Sequence, residues 1–280
     1  LLYLSPFTFY LLLFTFSITL FSQTEGELSI LSFNLRYSQG QDSLNHWSFR
    51  KEAIVKMINI AAPDVIGFQE ALYDQVQYLD ANCSQYLRVG VGRDDGNKEG
   101  EFAAVYFLKK RFVIVDSGNF WLSETPDVPA LGWDAACKRI VTWVHLEDTL
   151  LDNEFYLFNT HFDHAGIRAR KESALLLLKK IEELAYCFEN NIFITGDFNT
   201  VSEDSIFLPL KKYFKSARDV APVTDKSFTF NNFGKTDGAP MVIDHIWFTK
   251  PVPVEFRILN GNYGVPYISD HYPVLGIFKY

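Results

Sequence analysis

Two kinds of apolar pattern alternate along the chain. ELSILSFNLR (27–36) and DVIGFQE (64–70) are short runs of aliphatic, β-branched and aromatic residues, strand-like, and each closes on polar residues. Between them Ile54, Met57, Ile58 and Ala61 recur at i, i+3, i+4 and i+7, which predicts an amphipathic helix closed by Pro63. Tyr73, Val76 and Leu79 predict a second, shorter helix. EFAAVYF (101–107), FVIVDSGNFWL (112–122), IVTWVHL (140–146) and EFYLFNTHF (154–162) follow as a series of strands. Leu177, Ile181, Leu184, Ala185 and Phe188 mark a long helix after residue 168, and NIFITGDFN (191–199) is again strand-like. SFTF (227–230), MVIDHIWF (241–248) and HYPVLGIF (271–278) complete the pattern. No repeat or low-complexity linker interrupts it, so residues 24–280 are expected to form one domain of layered sheets with helices outside.

Composition narrows this picture. With 280 residues, 48% of them hydrophobic, the chain can build a sizeable core. Asp and Glu outnumber Lys and Arg by 34 to 26, a formal charge of −8, so no global basic field gathers long polynucleotides. An enzyme that recruits a divalent cation is still compatible with that balance. The first stretch, LLYLSPFTFYLLLFTFSITLFSQ, has no charged residue before Glu25 and stands outside the fold argument. Residues 1–22 read as an export signal cleaved after Ser22, in preference to a retained membrane anchor, because Pro6 and scattered Ser and Thr weaken a bilayer span. Cys83, Cys137 and Cys187 cannot all pair with one another and have no zinc-site spacing; one disulfide and buried thiols both stay open.

The candidate chemistry sits where apolar runs end or are interrupted. Asn34, Glu70, Glu101, His161, Asp197 with Asn199, Asp244, and Asp270 with His271 all occupy such positions. In layered α/β folds those ends form the sheet edge where ligands bind. FITGDFNT (193–200) is an instance: in an extended chain Asp197 and Asn199 share one face while Phe198 points inward, although Gly, Asp and Asn also suit an ordinary turn. Carboxylates, amides and histidines converging from distant segments suit a hard cation such as Mg²⁺ or Mn²⁺ with acid/base partners. That set fits phosphate ester hydrolysis.

SFNLR, GFQE, NTHFD, GDFN, VIDHIW and SDHYPV, six motifs in order over roughly residues 27–280, resemble the endonuclease/exonuclease/phosphatase superfamily. That superfamily includes pancreatic deoxyribonuclease, abasic-site endonucleases, deadenylases, neutral sphingomyelinases and inositol polyphosphate 5-phosphatases. GVGRDDGNKEGEF, FWLSETPD and GWDAACKRI resemble a bacterial branch of it. The resemblance implies an α/β (α+β) four-layer sandwich, two packed mixed, mainly antiparallel β-sheets flanked by helices. It implies Glu70 as the principal metal carboxylate, with Asn34 and Asp270 near the same ion, Mg²⁺ or Mn²⁺. Asp197 is then the residue that orients or deprotonates the attacking water, and Asn199 positions the phosphate. His271 contacts the scissile phosphate and Asp244 holds it, while His161 is the second histidine, with Glu101 as its paired glutamate. Arg93 is expected to reach the substrate phosphate. The implied partner is a phosphate ester, nucleic acid included, handled by a monomer with no obligate protein partner.

Blander readings attach to neighbouring residues. Asp163 and His164 precede a helix and read as capping or surface groups. His245 lies on the opposite strand face from Asp244 and reads as packing. Asp94, Asp95 and Asn97 lack the spacing and terminal Glu of a calcium loop. Trp121, Trp133 and Trp143 read as core or pocket wall. A non-catalytic binding module on the same scaffold is the competing function, and the retention of Glu70, Asp197, Asn199, Asp244 and His271 speaks against it.

Overall fold

The structure is a computed structural model that describes residues 26–235 and 241–280; the expected signal at 1–22 lies outside them. Its strands are β1 (Glu27–Asn34), β2 (Val65–Gln69), β3 (Tyr86–Val89), β4 (Val105–Leu108), β5 (Phe112–Trp121), β6 (Ile140–Asp148), β7 (Asn153–His161), β8 (Ile192–Asp197), β9 (Lys215–Ser216), β10 (Val223–Thr224), β11 (Asp244–Phe248), β12 (Val252–Ile258) and β13 (Val274–Lys279). The α-helices are α1 (Trp47–Ala61), α2 (Tyr73–Asn82), α3 (Ile167–Ala185) and the single turn α4 (Ala217–Val220).

The strands form two mixed sheets, ordered β10-β12-β13-β1-β2-β4-β3 and β5-β6-β7-β8-β11-β9. Most neighbours are antiparallel. β1 and β2 run parallel, joined through α1, and β7 and β8 run parallel, joined through α3, because a parallel pair needs a crossover long enough to return the chain. Alternation then divides each central strand between two layers. In β1, Leu28 and Ile30 join the core shared by the two sheets, with Val105 and Phe107 of β4 and Phe155, Phe193 and Ile246 of the second sheet. Leu31 and Phe33 join the opposite core, under Ile54, Met57 and Ile58 of α1 and Val76 and Leu79 of α2. Across the second sheet, Phe158, Ile194 and Trp247 meet Leu177 and Ile181 of α3. The result is the expected four-layer sandwich of helices, sheet, sheet and helix.

Several element boundaries depart from the sequence pattern. Of the stretch 101–107, only the part from Val105 joins the ladder; Phe102 makes isolated bridges to Ala71 and Gly92 instead. SFTF contributes only Phe230, bridged to Met241 and His271. The long helix ends at Ala185, where Tyr186 turns left-handed (φ 60°), and Phe188 stacks on Tyr213 beyond it. β3 and β12 have no clear apolar run: β12 carries Pro253 beside a register shift and is half-buried through much of its length. Among the described residues no helix is long and apolar enough to cross a membrane, and all three cysteines are free thiols.

Candidate active site

The topology brings the polar strand ends to one end of the sandwich. Asn34 closes β1, Glu70 follows β2, His161 closes β7 and Asp197 closes β8. Asp244 opens antiparallel β11, and Asp270 and His271 lead into antiparallel β13. Register fixes the neighbours: Asp197 lies opposite His161 on one side and Asp244 on the other.

Asp197 is the centre of the group. Its Oδ2 accepts from Asn34 Nδ2 (2.9 Å) and its Oδ1 from the Asn199 backbone N–H (2.9 Å). His161 Nε2 stands 3.5 Å and His271 Nε2 3.6 Å from Oδ2. The two histidines are tuned in opposite directions. Burial, then the charges of Arg139 and Arg93, hold His161 well below the usual imidazole range. Burial alone would depress His271 as well, but the Asp244 and Asp197 carboxylates outweigh it and hold His271 well above that range. His271 Nδ1 donates to Asp244 Oδ2 at 2.9 Å, leaving Nε2 toward Asp197. Asp197 itself is pushed up to about 7, chiefly by burial, with His271 opposing and Asp244 reinforcing.

Glu70 sits in the left-handed region (φ 59°), which carries the chain sharply away from β2. Its oxygens accept from Asn34 Nδ2 (3.0 Å) and the Tyr37 backbone N–H (3.2 Å). Asp270 is raised by burial, and the charge of Glu70 raises it further, although His271 and Arg36, whose Nε lies 3.6 Å from Oδ2, oppose this. A buried carboxylate raised by burial and by a second carboxylate beside it belongs to a donor set that a hard divalent cation satisfies. Atoms of Glu70, His161 and Asp197 all lie within 4.8 Å of one another, as do those of Asp197, Asp244 and His271. Asn34 plays a part the sequence did not suggest. Its amide nitrogen faces both carboxylates while Oδ1 accepts the Arg36 N–H (2.9 Å), so in this arrangement it orients Glu70 and Asp197 as a donor.

Glu101 and Arg93 are both here, engaged mainly with each other. Arg93 Nη1 and Nη2 fork onto the Glu101 carboxylate at 2.6 and 2.9 Å, while His161 Nδ1 is 3.8 Å away. Burial, then Glu70, push Glu101 up to about 7. Asn199 donates to His161 Nε2 (3.0 Å) and to the Phe162 carbonyl (3.0 Å).

The FITGDFNT stretch resolves differently from simple alternation. β8 ends at Asp197, and Asn199 lies past it in a left-handed turn (φ 52°) closed onto the Asp197 carboxylate. Gly196 serves strand packing, since a Cβ there would meet the Thr160 carbonyl oxygen at 2.4 Å. Asp163 does cap the turn into α3 but is no surface group. It is buried and accepts from the backbone of Ala136, Cys137, Ala165 and Gly166 and from Arg139 Nε, which satisfies it without a metal despite the nearby Cys137 and His164. His245 packs against Phe198, Phe207 and Trp247, as its strand face implies.

The sequence of the chain matches the endonuclease/exonuclease/phosphatase family over residues 31–271. The chain belongs to the endonuclease/exonuclease/phosphatase family. A solved member from Bacteroides vulgatus is 36% identical, spans 90% of this chain and 98% of its own, and superposes with a TM-score of 0.85. The mannosyl-6-phosphatase of Bacteroides thetaiotaomicron VPI-5482 is 34% identical over 90% of this chain and all of its own, with a TM-score of 0.85. An uncharacterised protein of Acanthamoeba polyphaga mimivirus is 26% identical over 85% of this chain and 94% of its own. Members of the family are phosphoester hydrolases, and the acidic and histidine groups of this chain could hold the divalent metal such enzymes use.

Two features of the site escaped the sequence reading. Arg139, at the mouth of β6, is buried among Glu70, Glu101 and His161. Beneath the carboxylates, Gln69 donates to Asn159 Oδ1 (2.7 Å), Thr195 donates to the same oxygen (3.0 Å), and Asn159 donates to the Phe68 carbonyl (2.7 Å), tying β2, β7 and β8 together under the site. Polar residues inside otherwise apolar strands were the available signal for that network. A lone arginine before a strand offered none.

Proposed function

We propose that the chain is an exported, divalent-metal-dependent phosphoesterase whose substrate is a phosphomonoester carried by a sugar or similar polyol. The observation that carries the reaction is the Asp197 carboxylate lying between His161 and His271 at 3.5 and 3.6 Å, one imidazole held well below and the other well above the usual range. Substrate class is supported by the 34% identity to a mannosyl-6-phosphatase across that enzyme's full length and by the acidic balance of the chain. A cleft of about 840 Å³ beside the site, edged by Tyr37, Tyr73, Asp74, Arg93 and Glu101, has room for a hexose.

Glu70, oriented by Asn34, and Asp270 would hold Mg²⁺ or Mn²⁺, and the ion would supply charge neutralisation on the phosphate and the departing oxygen. Asp197 takes a proton from the attacking water, its carboxylate aimed by Asn34 and the Asn199 N–H. His271, with its Nδ1 proton committed to Asp244, presents Nε2–H to a phosphoryl oxygen. His161 Nε2 accepts from Asn199, so the His161 proton resides on Nδ1.

The test is phosphate release from mannose 6-phosphate, inositol phosphates, bis-p-nitrophenyl phosphate, DNA, RNA and sphingomyelin, each with Mg²⁺ and with Mn²⁺. Turnover led by the sugar phosphate is the expected result. Cleavage confined to nucleic acid or lipid would overturn the substrate class, and no turnover of any member would identify a binding module.

A further inference from the structure

Three N–H groups of the site have no hydrogen-bond partner. Among the described residues, the buried side-chain atoms without a hydrogen bond include Arg93 Nε, Arg139 Nη1 and His161 Nδ1. All three residues line one crevice of about 10 Å³, together with Glu70, Glu101, Phe102, Ala103 and Ile140. That volume admits roughly a single small polar atom or water. Glu70 and His161 also reach to within 4.8 Å of Asp197, so the crevice shares two of its walls with the reacting centre.

Arg139 is locked in place. Its Nε donates to Asp163 Oδ1 at 3.2 Å, its Nη2 lies 3.0 Å from His164 Nδ1, and Asp163 is pinned by four backbone N–H groups. The third nitrogen, Nη1, therefore cannot turn away to another acceptor. A guanidinium only 4% exposed is ordinarily given full hydrogen bonding, and a fixed, unsatisfied arm is the form an anion site takes.

Resting on the phosphoesterase reading above, the geometry points to this crevice as a pocket for one unesterified phosphoryl oxygen, with Arg139 as the residue that favours phosphomonoesters over phosphodiesters. A monoester has three non-bridging oxygens and up to two charges. With two of them at the His271 and Glu70 edges of the site, the third enters the crevice and meets Arg139. In a diester that third oxygen carries another alcohol, which cannot enter a space for one atom walled by the buried Phe102, Ala103 and Ile140.

The test compares the full enzyme with Arg139→Lys, which keeps a cation beside Asp163 but loses the planar fork. Steady-state kinetics on p-nitrophenyl phosphate and bis-p-nitrophenyl phosphate, both with Mg²⁺, give the monoester-to-diester ratio of kcat/KM. Calorimetry with inorganic phosphate and with dimethyl phosphate reads the crevice without turnover. The ratio is expected to fall at least tenfold in the variant, with most of the monoester loss in KM, and the wild type is expected to bind phosphate at least tenfold more tightly than dimethyl phosphate, a margin the variant loses. Parallel losses on both substrates with that margin intact would overturn the proposal and leave Arg139 as a support for Asp163. If Arg139→Lys does not fold, the wild-type calorimetry decides alone, and equal binding of the two anions overturns it. A wild type inert toward both esters would instead defeat the phosphoesterase reading, and the calorimetric comparison would still judge the crevice.

Discussion

His161 and His271 are chemically the same side chain within 3.6 Å of one carboxylate, yet their surroundings shift them in opposite directions from the usual imidazole range. Asp244 is the strongest pull upward on His271, while Arg139 and Arg93 press His161 down. With its carboxylate on His271 Nδ1, Asp244→Asn removes the charge that favours the imidazolium and should lower kcat by about 10²–10⁴, the span of a positioned acid/base group. Adding His271→Ala should then cost little more than His271→Ala alone, because residues acting as a unit are non-additive; additive losses would place Asp244 in another role. The same pair has a pH signature. A histidine raised above its unfolded value contributes stability that is complete below about pH 6.5 and fades as pH rises through the folded value. In chelator, the melting-temperature gap between wild type and His271→Gln should therefore narrow as pH rises above about 6.5. A gap independent of pH would contradict the raised imidazolium.

Strand register does for the site what no single residue does. His161, Asp197 and Asp244 lie side by side because β7, β8 and β11 are adjacent, and Gly196 lets β8 approach the Thr160 carbonyl of β7. Gly196→Ala forces a Cβ to within 2.4 Å of that backbone oxygen, so the strands must part. A loss of about 1–3 kcal/mol in denaturant unfolding is expected, with a disproportionate fall in activity; unchanged stability would show that the strands yield freely. The elements most legible in the sequence were those with one strong period. Ile54, Met57, Ile58 and Ala61 all lie in the buried face of α1, and the apolar runs of β6, β7 and β8 fall where their composition placed them. Peripheral strands were not legible, because β3 and β12 bury too little to need a clean pattern. Past Asp197 the backbone, by closing a turn on the carboxylate, overrode the alternation that FITGDFNT suggested.

Across the chain, nine expected site residues from Asn34 to His271 converge at one end of the sandwich, and Arg93 comes with them through Glu101. Convergence was readable because carboxylates and histidines are conspicuous at the ends of apolar runs. Arg139 was not, since one arginine before a strand looks like any exposed charge until the fold buries it against Asp163. The proposed export carries its own expectation from the charge-free residues 1–22: mass spectrometry of the mature protein should find them removed, and an intact N-terminus in membrane fractions would indicate an anchor. The proposed metal would unite the site, because Asp270 and Asp197 are carboxylates raised first by burial and then by Glu70 and Asp244 respectively, a setting that a cation relieves. Phosphate release from mannose 6-phosphate should accordingly be followed on metal-stripped protein titrated with Mg²⁺ or Mn²⁺, alongside Glu70→Gln. The expected result is no turnover in chelator, full recovery on adding the ion, and a requirement for at least about tenfold more of it in the variant. Undiminished turnover in excess chelator, after dialysis, would contradict a metal-dependent phosphoesterase.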